Sequence, residues 1–220
     1  MKNIVIIGSG GHANVVIDII EREGKYNIHG ILNRFEPLGK KIYDYEIIGQ
    51  IEDIPTINEQ TPIEGGIVAI GDNWLRQKVV DKIKNIVPSF KFITTVHPQT
   101  QIGKAVKLGG GTVIMPGVTI NANTVIGEHC ILNTNSSIGH DAEMKNFSSL
   151  ASNATLGGLT EVGAYSTIAL SATLLHGIKI GEHTVIGAGA VVVKDMPSHV
   201  LGFGVPCKVI REREVGEKYL

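Results

Sequence analysis

The chain has 220 residues, 43% hydrophobic and only 5% aromatic, with a formal net charge of −1. That length admits one large or two small domains with a proper core, and a near-neutral balance without a basic run argues against nucleic acid as a partner. The apolar run from Ile4 to Ile7 is too short for a signal peptide or a membrane span, and Cys130 and Cys207 stand far apart outside any C-x-x-C, so a reduced cytoplasmic setting is expected.

The chain opens with an apolar strand over Lys2 to Ile7, then Gly8-Ser9-Gly10-Gly11-His12-Ala13, then a helical pattern through Val15, Val16, Ile19 and Ile20. Such a strand, glycine turn and helix form an anion site from backbone N–H groups and a helix N-terminus. Ile28 to Leu32 reads as a second strand, Gly66 to Ile70 as a third and Phe90 to Thr94 as a fourth. Asp72 to Val87 reads as a helix facing its core with Trp74, Leu75, Val79, Ile83 and Ile86. The alternation predicts a small parallel α/β, Rossmann-like domain. A dehydrogenase does not follow: the chain reads Asn33-Arg34 where an acidic ribose ligand belongs. About 95 residues also supply too few strands for a full dinucleotide fold, though half of one can hold a mononucleotide diphosphate.

From Ile102 to Val191 the chain repeats every six residues, and the first position of all fifteen hexads is aliphatic or Met. A period of six fits a parallel β-helix of short strands and turns. Three hexads make one triangular coil, so residues 18 apart stack at about 4.8 Å, and the first-position residues are expected to form a continuous inward ladder. Residues 1–97 are thus read as the N-terminal domain and 98–220 as the β-helix with its C-terminal tail.

One hexad departs from the bland pattern, Ile138-Gly139-His140-Asp141-Ala142-Glu143. His140 sits at the outward third position beside Asp141, as an oriented general base would. The residue 18 later is Gly158 and the one 18 earlier is Ala122, so the space beside the imidazole is open and a backbone N–H is near enough to stabilise an oxyanion. His176 lies in the same column two coils on, about 10 Å away, too far to share a metal. His129 and His183 are three coils apart, so no metal site is expected within one chain. Cys130, at a fifth position, reads as core filler.

Gly8-Ser9-Gly10-Gly11-His12, Ile70-Gly71-Asp72-Asn73 with Arg76, His97-Pro98, Asn133-Thr134, His140-Asp141 and Gly204-Val205-Pro206-Cys207-Lys208-Val209-Ile210 run through nearly the whole length. In these motifs the chain resembles the sialic acid O-acetyltransferase family, which includes the nucleotide-sugar 4-amino N-acetyltransferases of bacterial glycan synthesis. The resemblance implies a left-handed β-helix, a homotrimer, and acetyl-CoA as cosubstrate in a groove between coils, with no metal. It implies a nucleotide-linked amino sugar, such as a 4-amino-4,6-dideoxy sugar, on the N-terminal domain. His140 would be the base and Asp141 its orienting carboxylate. Gly8, Ser9, Gly10, Gly11, His12, Asn33, Arg34, Gly71, Asp72 and Asn133 would hold the sugar nucleotide, and Ser149, Gly158, Ala169 and Lys208 the acetyl-CoA. Two positions depart from the family: Ser149 stands where relatives often carry a second His, and Asn33-Arg34 where they often carry acidic residues that read the nucleotide. Cys207 replaces a more usual Ala.

The expected reaction is attack of a sugar amine on the acetyl thioester, with no covalent enzyme intermediate. The alternatives are O-acetylation of a sugar such as sialic acid, which the same base could serve, and a non-catalytic trimeric binding module.

Overall fold

Lys2–Ile7 forms β1, and Ile4 to Ile7 are buried on both of its faces, as a central parallel strand requires. The computed structural model describes residues 1–218. After β1 come α1 (Gly11–Glu23), β2 (Tyr26–Leu32), β3 (Lys41–Ile42), β4 (Tyr45–Gly49), α2 (Ile54–Gln60), β5 (Gly65–Val68) and α3 (Asn73–Ile86). The sheet order is β3-β4-β2-β1-β5, parallel except for the β3–β4 pair. On one face α1 packs Val16, Ile17 and Ile20 against Ile4 and Ile6. On the other, α2 and α3 bring Ile54, Ile57, Val80 and Ile83 against Val5 and Ile7.

Two expectations for this domain need correction. The buried face of α3 is Asn73, Arg76, Val80 and Ile83, while Leu75 is 48% exposed. The helix is wedged between its own sheet and the β-helix, so part of its inner face meets backbone carbonyls and is polar. Phe90 to Thr94 is not a strand: Phe92 alone bridges to Gly66. There the chain leaves the sheet edge, and Thr95–Val96 already pairs with Val113–Ile114 as a rung of the β-helix, just ahead of residue 98.

The hexads form two-residue strands on three parallel sheets. Their rungs join residues 18 apart, such as Thr119↔Ser137, Ile120↔Ile138 and Ile138↔Leu156. Only the last turn is shorter, with Val185 opposite Leu201. The fourth residue of every one of the fifteen hexads has positive φ, from Ala105 (61°) to Gly189 (68°). A left-handed residue other than Gly costs about 1–2 kcal/mol. Here it turns the corner and aims an N–H at the carbonyl of the coil below, as Asn123 does to Lys104, Asp141 to Ala122 and Leu159 to His140. The aliphatic ladder is buried from Ile114 to Ile186, but Ile102 at the foot is 44% exposed because no coil lies beneath it. The antiparallel hairpin Val200–Phe203 and Lys208–Glu212 follows the last coil.

Candidate active site

Asp72 caps α3 by accepting from the Leu75 N–H at 2.7 Å, which starts the helix and sets Asn73 and Arg76 one turn apart on its inner side. Arg76 is 1% exposed. It donates from Nε to the His129 carbonyl, from Nη1 to those of Ile70 and Gly71, and from Nη2 to Asn73 Oδ1 and the Phe147 carbonyl. Asn73 Oδ1 also accepts from the Ser149 hydroxyl at 2.5 Å, and its Nδ2 donates to Thr167 Oγ1 at 3.0 Å. These bonds seal the α/β domain against the coils. An outward column of stacked rings runs beside them: His129 on Phe147 at 4.9 Å, Phe147 on Tyr165 at 5.6 Å and Tyr165 on His183 at 4.6 Å. Burial, then the nearby charge of Arg76, pushes the His129 imidazole down to about 3.

At the glycine turn the three glycines differ. Gly8 has φ +113°, and a Cβ there would lie 2.9 Å from the Ala69 carbonyl oxygen, so the fold itself needs it. Gly10 holds the N-cap of α1 without any side-chain cap. A Cβ on Gly10 or Gly11 would meet nothing within 4 Å. Two cavities flank this turn. One of about 310 Å³ is lined by Gly8, Asn33, Arg34, Phe35, Lys78 and Lys82, among others. Asn33 is fixed there, donating to Ser9 Oγ at 2.5 Å and accepting from the Phe35 N–H at 2.7 Å. The other, of about 570 Å³, lies between the α/β domain and the coils and is lined by His12, Gly71, Asn133, Ser149, Ala169 and Phe203, among others. His12 Nε2 is buried without a hydrogen-bond partner among the described residues, and burial, then Arg76, holds this imidazole down at about 4. It is therefore neutral at pH 7.

His140, Asp141 and Gly158 lie elsewhere. Asn133 is on the corner between the eight-stranded and six-stranded sheets, and His140 on the next corner, between the six-stranded and five-stranded sheets. There His140 Nδ1 is 2.7 Å from Asp141 Oδ2, and Asp141 Oδ1 accepts from Asn123 Nδ2 at 3.0 Å. These two bonds, first His140 and then Asn123, draw the Asp141 carboxyl below its usual range. With Nδ1–H donated to Asp141, the lone pair of Nε2 is free to take a proton. A Cβ on Gly158 would stand 2.8 Å from that Nε2. Asn123 carries no chemical signal of its own in the sequence, yet it lies 18 residues before Asp141 and the stacking rule points straight to it. His176 is nearer than column spacing implies: its ring centroid is 6.1 Å from that of His140, whose ring tips over the glycine between them. Lys208 touches neither place and is exposed on the final strand, opposite Phe203. Cys130 is fully buried in the coil core. No group of three His, Cys, Asp or Glu is placed to hold a metal, and no helix is long and apolar enough to cross a membrane, among the described residues.

A glycine-turn α/β domain sealed onto a parallel β-helix with a carboxylate-oriented imidazole at one corner defines a hexapeptide-repeat acyltransferase. The PglD N-terminal domain family matches residues 3–83 and the bacterial transferase hexapeptide (six repeats) family residues 99–134. PerB from Caulobacter crescentus, solved in complex with CoA and GDP-perosamine, is 34% identical with a TM-score of 0.89, covering 96% of this chain and 98% of that one. The acetyltransferase domain of PglB from Neisseria gonorrhoeae FA1090, solved with acetyl coenzyme A, is 26% identical with a TM-score of 0.87, covering 95% of this chain and 99% of that one. UDP-N-acetylbacillosamine N-acetyltransferase of Bacillus subtilis (strain 168) is 29% identical over 118 residues, 52% of this chain and 52% of the relative, so the chain spans about half the length of that curated relative. The chain belongs to the left-handed β-helix sugar N-acetyltransferase family of PerB and PglB.

Proposed function

We propose that the protein transfers acetyl from acetyl-CoA to the amino group of a nucleotide-linked amino sugar. The observation that carries this reading is the His140 imidazole, tied at Nδ1 to Asp141 and open at Nε2 over a residue without a side chain. The amine nitrogen attacks the thioester carbon, a C–N bond forms and the C–S bond breaks. The amine proton passes to His140 Nε2, and the products are an amide and CoA, whose thiol carries a proton. The Gly158 N–H, which has no acceptor among the described residues, faces the oxygen on which charge develops.

The cavities support a nucleotide-linked acceptor. The smaller one, with its apolar walls, Asn33 and three cationic side chains, suits a nucleoside. The uncapped turn at Gly10 and Gly11, with an unpartnered His12 nitrogen alongside, suits a diphosphate. The larger cavity, with Asn133, suits the sugar. Within one protomer the base is on a different corner from this cavity, so the site requires a second copy. A cyclic assembly sets one corner of each prism against a different corner of its neighbour, and a homotrimer does this for a three-sided prism.

The test is a CoA-release assay with GDP-, UDP- and dTDP-linked amino sugars and with free sialic acid. Release with a nucleotide-linked amine and none with its N-acetyl form supports the reading. Release with free sialic acid alone overturns it in favour of O-acetylation.

A further inference from the structure

The corner that carries the base has a column of third-position residues: Lys104, Ala122, His140, Gly158, His176 and Lys194, each 18 after the last. Two coil rises separate His140 from His176, about 9.6 Å at the usual strand spacing, yet their rings stand 6.1 Å apart and tilted by 54°. Both side chains are exposed, so no core packing forces them together. With no side chain on Gly158, the His140 ring tips into the space a Cβ would take there. The Gly158 backbone thus lies in the column between the His140 imidazole and the His176 imidazole.

The floor offers a donor. Third-position N–H groups take no part in the rungs of the coil, and at two of them the residue 18 or 16 later supplies an acceptor: Glu128 N–H donates to Asn146 Oδ1 at 2.9 Å, and Glu182 N–H to Ser198 Oγ at 3.1 Å. The residue 18 after Gly158 is His176, which supplies no such bond, and the Gly158 N–H has no acceptor among the described residues. The result is a wedge with a hydrogen-bond donor at its base and an imidazole on each side.

We propose that His176 is a specificity-determining residue, the wall of the acyl site opposite the base. This rests on the acetyl-transfer reading above. The thioester carbonyl accepts from the Gly158 N–H, the amine approaches from the His140 side, and the His176 ring closes the other side against the acyl methyl group. A chain longer by one carbon meets that ring. One methylene against a fitted wall is worth about 10–200-fold in discrimination, and the lower end of that range is the effect expected of His176.

The test compares wild type, His176→Ala and His176→Asn by calorimetric titration with acetyl-CoA and propionyl-CoA, and by kcat/KM with each thioester. Thermal transitions check that the variants fold. Wild type is expected to favour acetyl-CoA. In His176→Ala the acetyl/propionyl ratio of kcat/KM should fall about tenfold or more while KM for the sugar nucleotide stays the same. His176→Asn, planar and polar, should recover part of the ratio. Wild-type protein that binds acetyl-CoA, with an Ala variant that keeps the wild-type ratio, overturns this inference alone. Wild-type protein that binds neither thioester overturns the acetyltransferase reading and this inference with it.

Discussion

A Cβ atom on Gly158 would stand 2.8 Å from Nε2 of His140. The glycine is therefore what keeps the basic nitrogen accessible. Gly158 needs no left-handed φ and its backbone is ordinary, so a larger residue should fold while blocking the site. Gly158→Leu should abolish acetyl transfer, and acetyl-CoA binding by calorimetry should weaken, with the thermal transition retained through the Leu156 and Val162 rungs. A folded Gly158→Leu enzyme with normal turnover would displace the active site from this corner.

The chain of bonds from Asn123 to Asp141 to His140 predicts graded losses. His140→Ala should lower kcat by about 10²–10⁴, the range for a general base. Asp141→Asn, which cannot hold the same tautomer, should lose less, and Asn123→Ala less again, because it only orients the carboxylate. Steady-state kcat across the three variants checks the ordering. An Asn123→Ala loss as large as that of His140→Ala would contradict it.

Gly8 and Gly11 should separate fold from binding. Gly8→Ala puts a Cβ against the Ala69 carbonyl at a positive φ, so it should lower the melting temperature. Gly11→Val has open space around its new side chain and should leave stability nearly unchanged while raising KM for the sugar nucleotide and sparing KM for acetyl-CoA. Equal rises in both KM values would indicate a general defect instead.

If the base and the acceptor pocket of each working site come from different copies, two dead variants should rescue each other. Co-expressed His140→Ala and Gly11→Val chains should recover about a quarter of wild-type activity, the share of random neighbouring pairs in which both contributions are intact. Either variant alone should stay inactive at low sugar nucleotide. A co-expressed mixture no more active than its parts would place the whole site on one chain.

His129 should make the fold acid-sensitive. Its folded value, about 3, lies below the ordinary 6.5 of a histidine, so between these values the unfolded chain binds the extra proton and stability falls as pH drops from about 6.5 toward 3. His12, held down at about 4, adds to the loss over the upper part of that window. His129→Phe, which continues the ring column formed by Phe147 below Tyr165, should flatten the fall. Melting temperatures from pH 7 to pH 4 would show it; identical slopes for wild type and variant would remove His129 as a cause.

The repeat made the coil, its register and the His140–Gly158 pair legible from the sequence, because a fixed period of 18 is arithmetic. The same arithmetic from Asp141 reaches Asn123, and seven residues from Asn133 to His140 already place the two on successive corners. What spacing could not show is side-chain direction, which is why His176 came out nearer than its column position. Nor could it show that α3 has two neighbours: a helix read as packing on one sheet is expected to bury Trp74 and Leu75, whereas the second neighbour takes Arg76 and Asn73. The two-residue β3 and short α2, which begins with Pro55 near its N-terminus, offered too few periods to detect.

The Arg76 guanidinium grips carbonyls at His129 and Phe147, one coil apart, and at Ile70 and Gly71 beside the glycine turn. The glycine turn, which on the proposed reading takes the phosphate end of an acceptor, is thereby bolted to the coils. On that reading the molecule would work as a pair of fixed callipers: an acceptor would be measured from its diphosphate to its amine, and a sugar whose nitrogen fell short of the corner would be left unacetylated however well its nucleotide fitted.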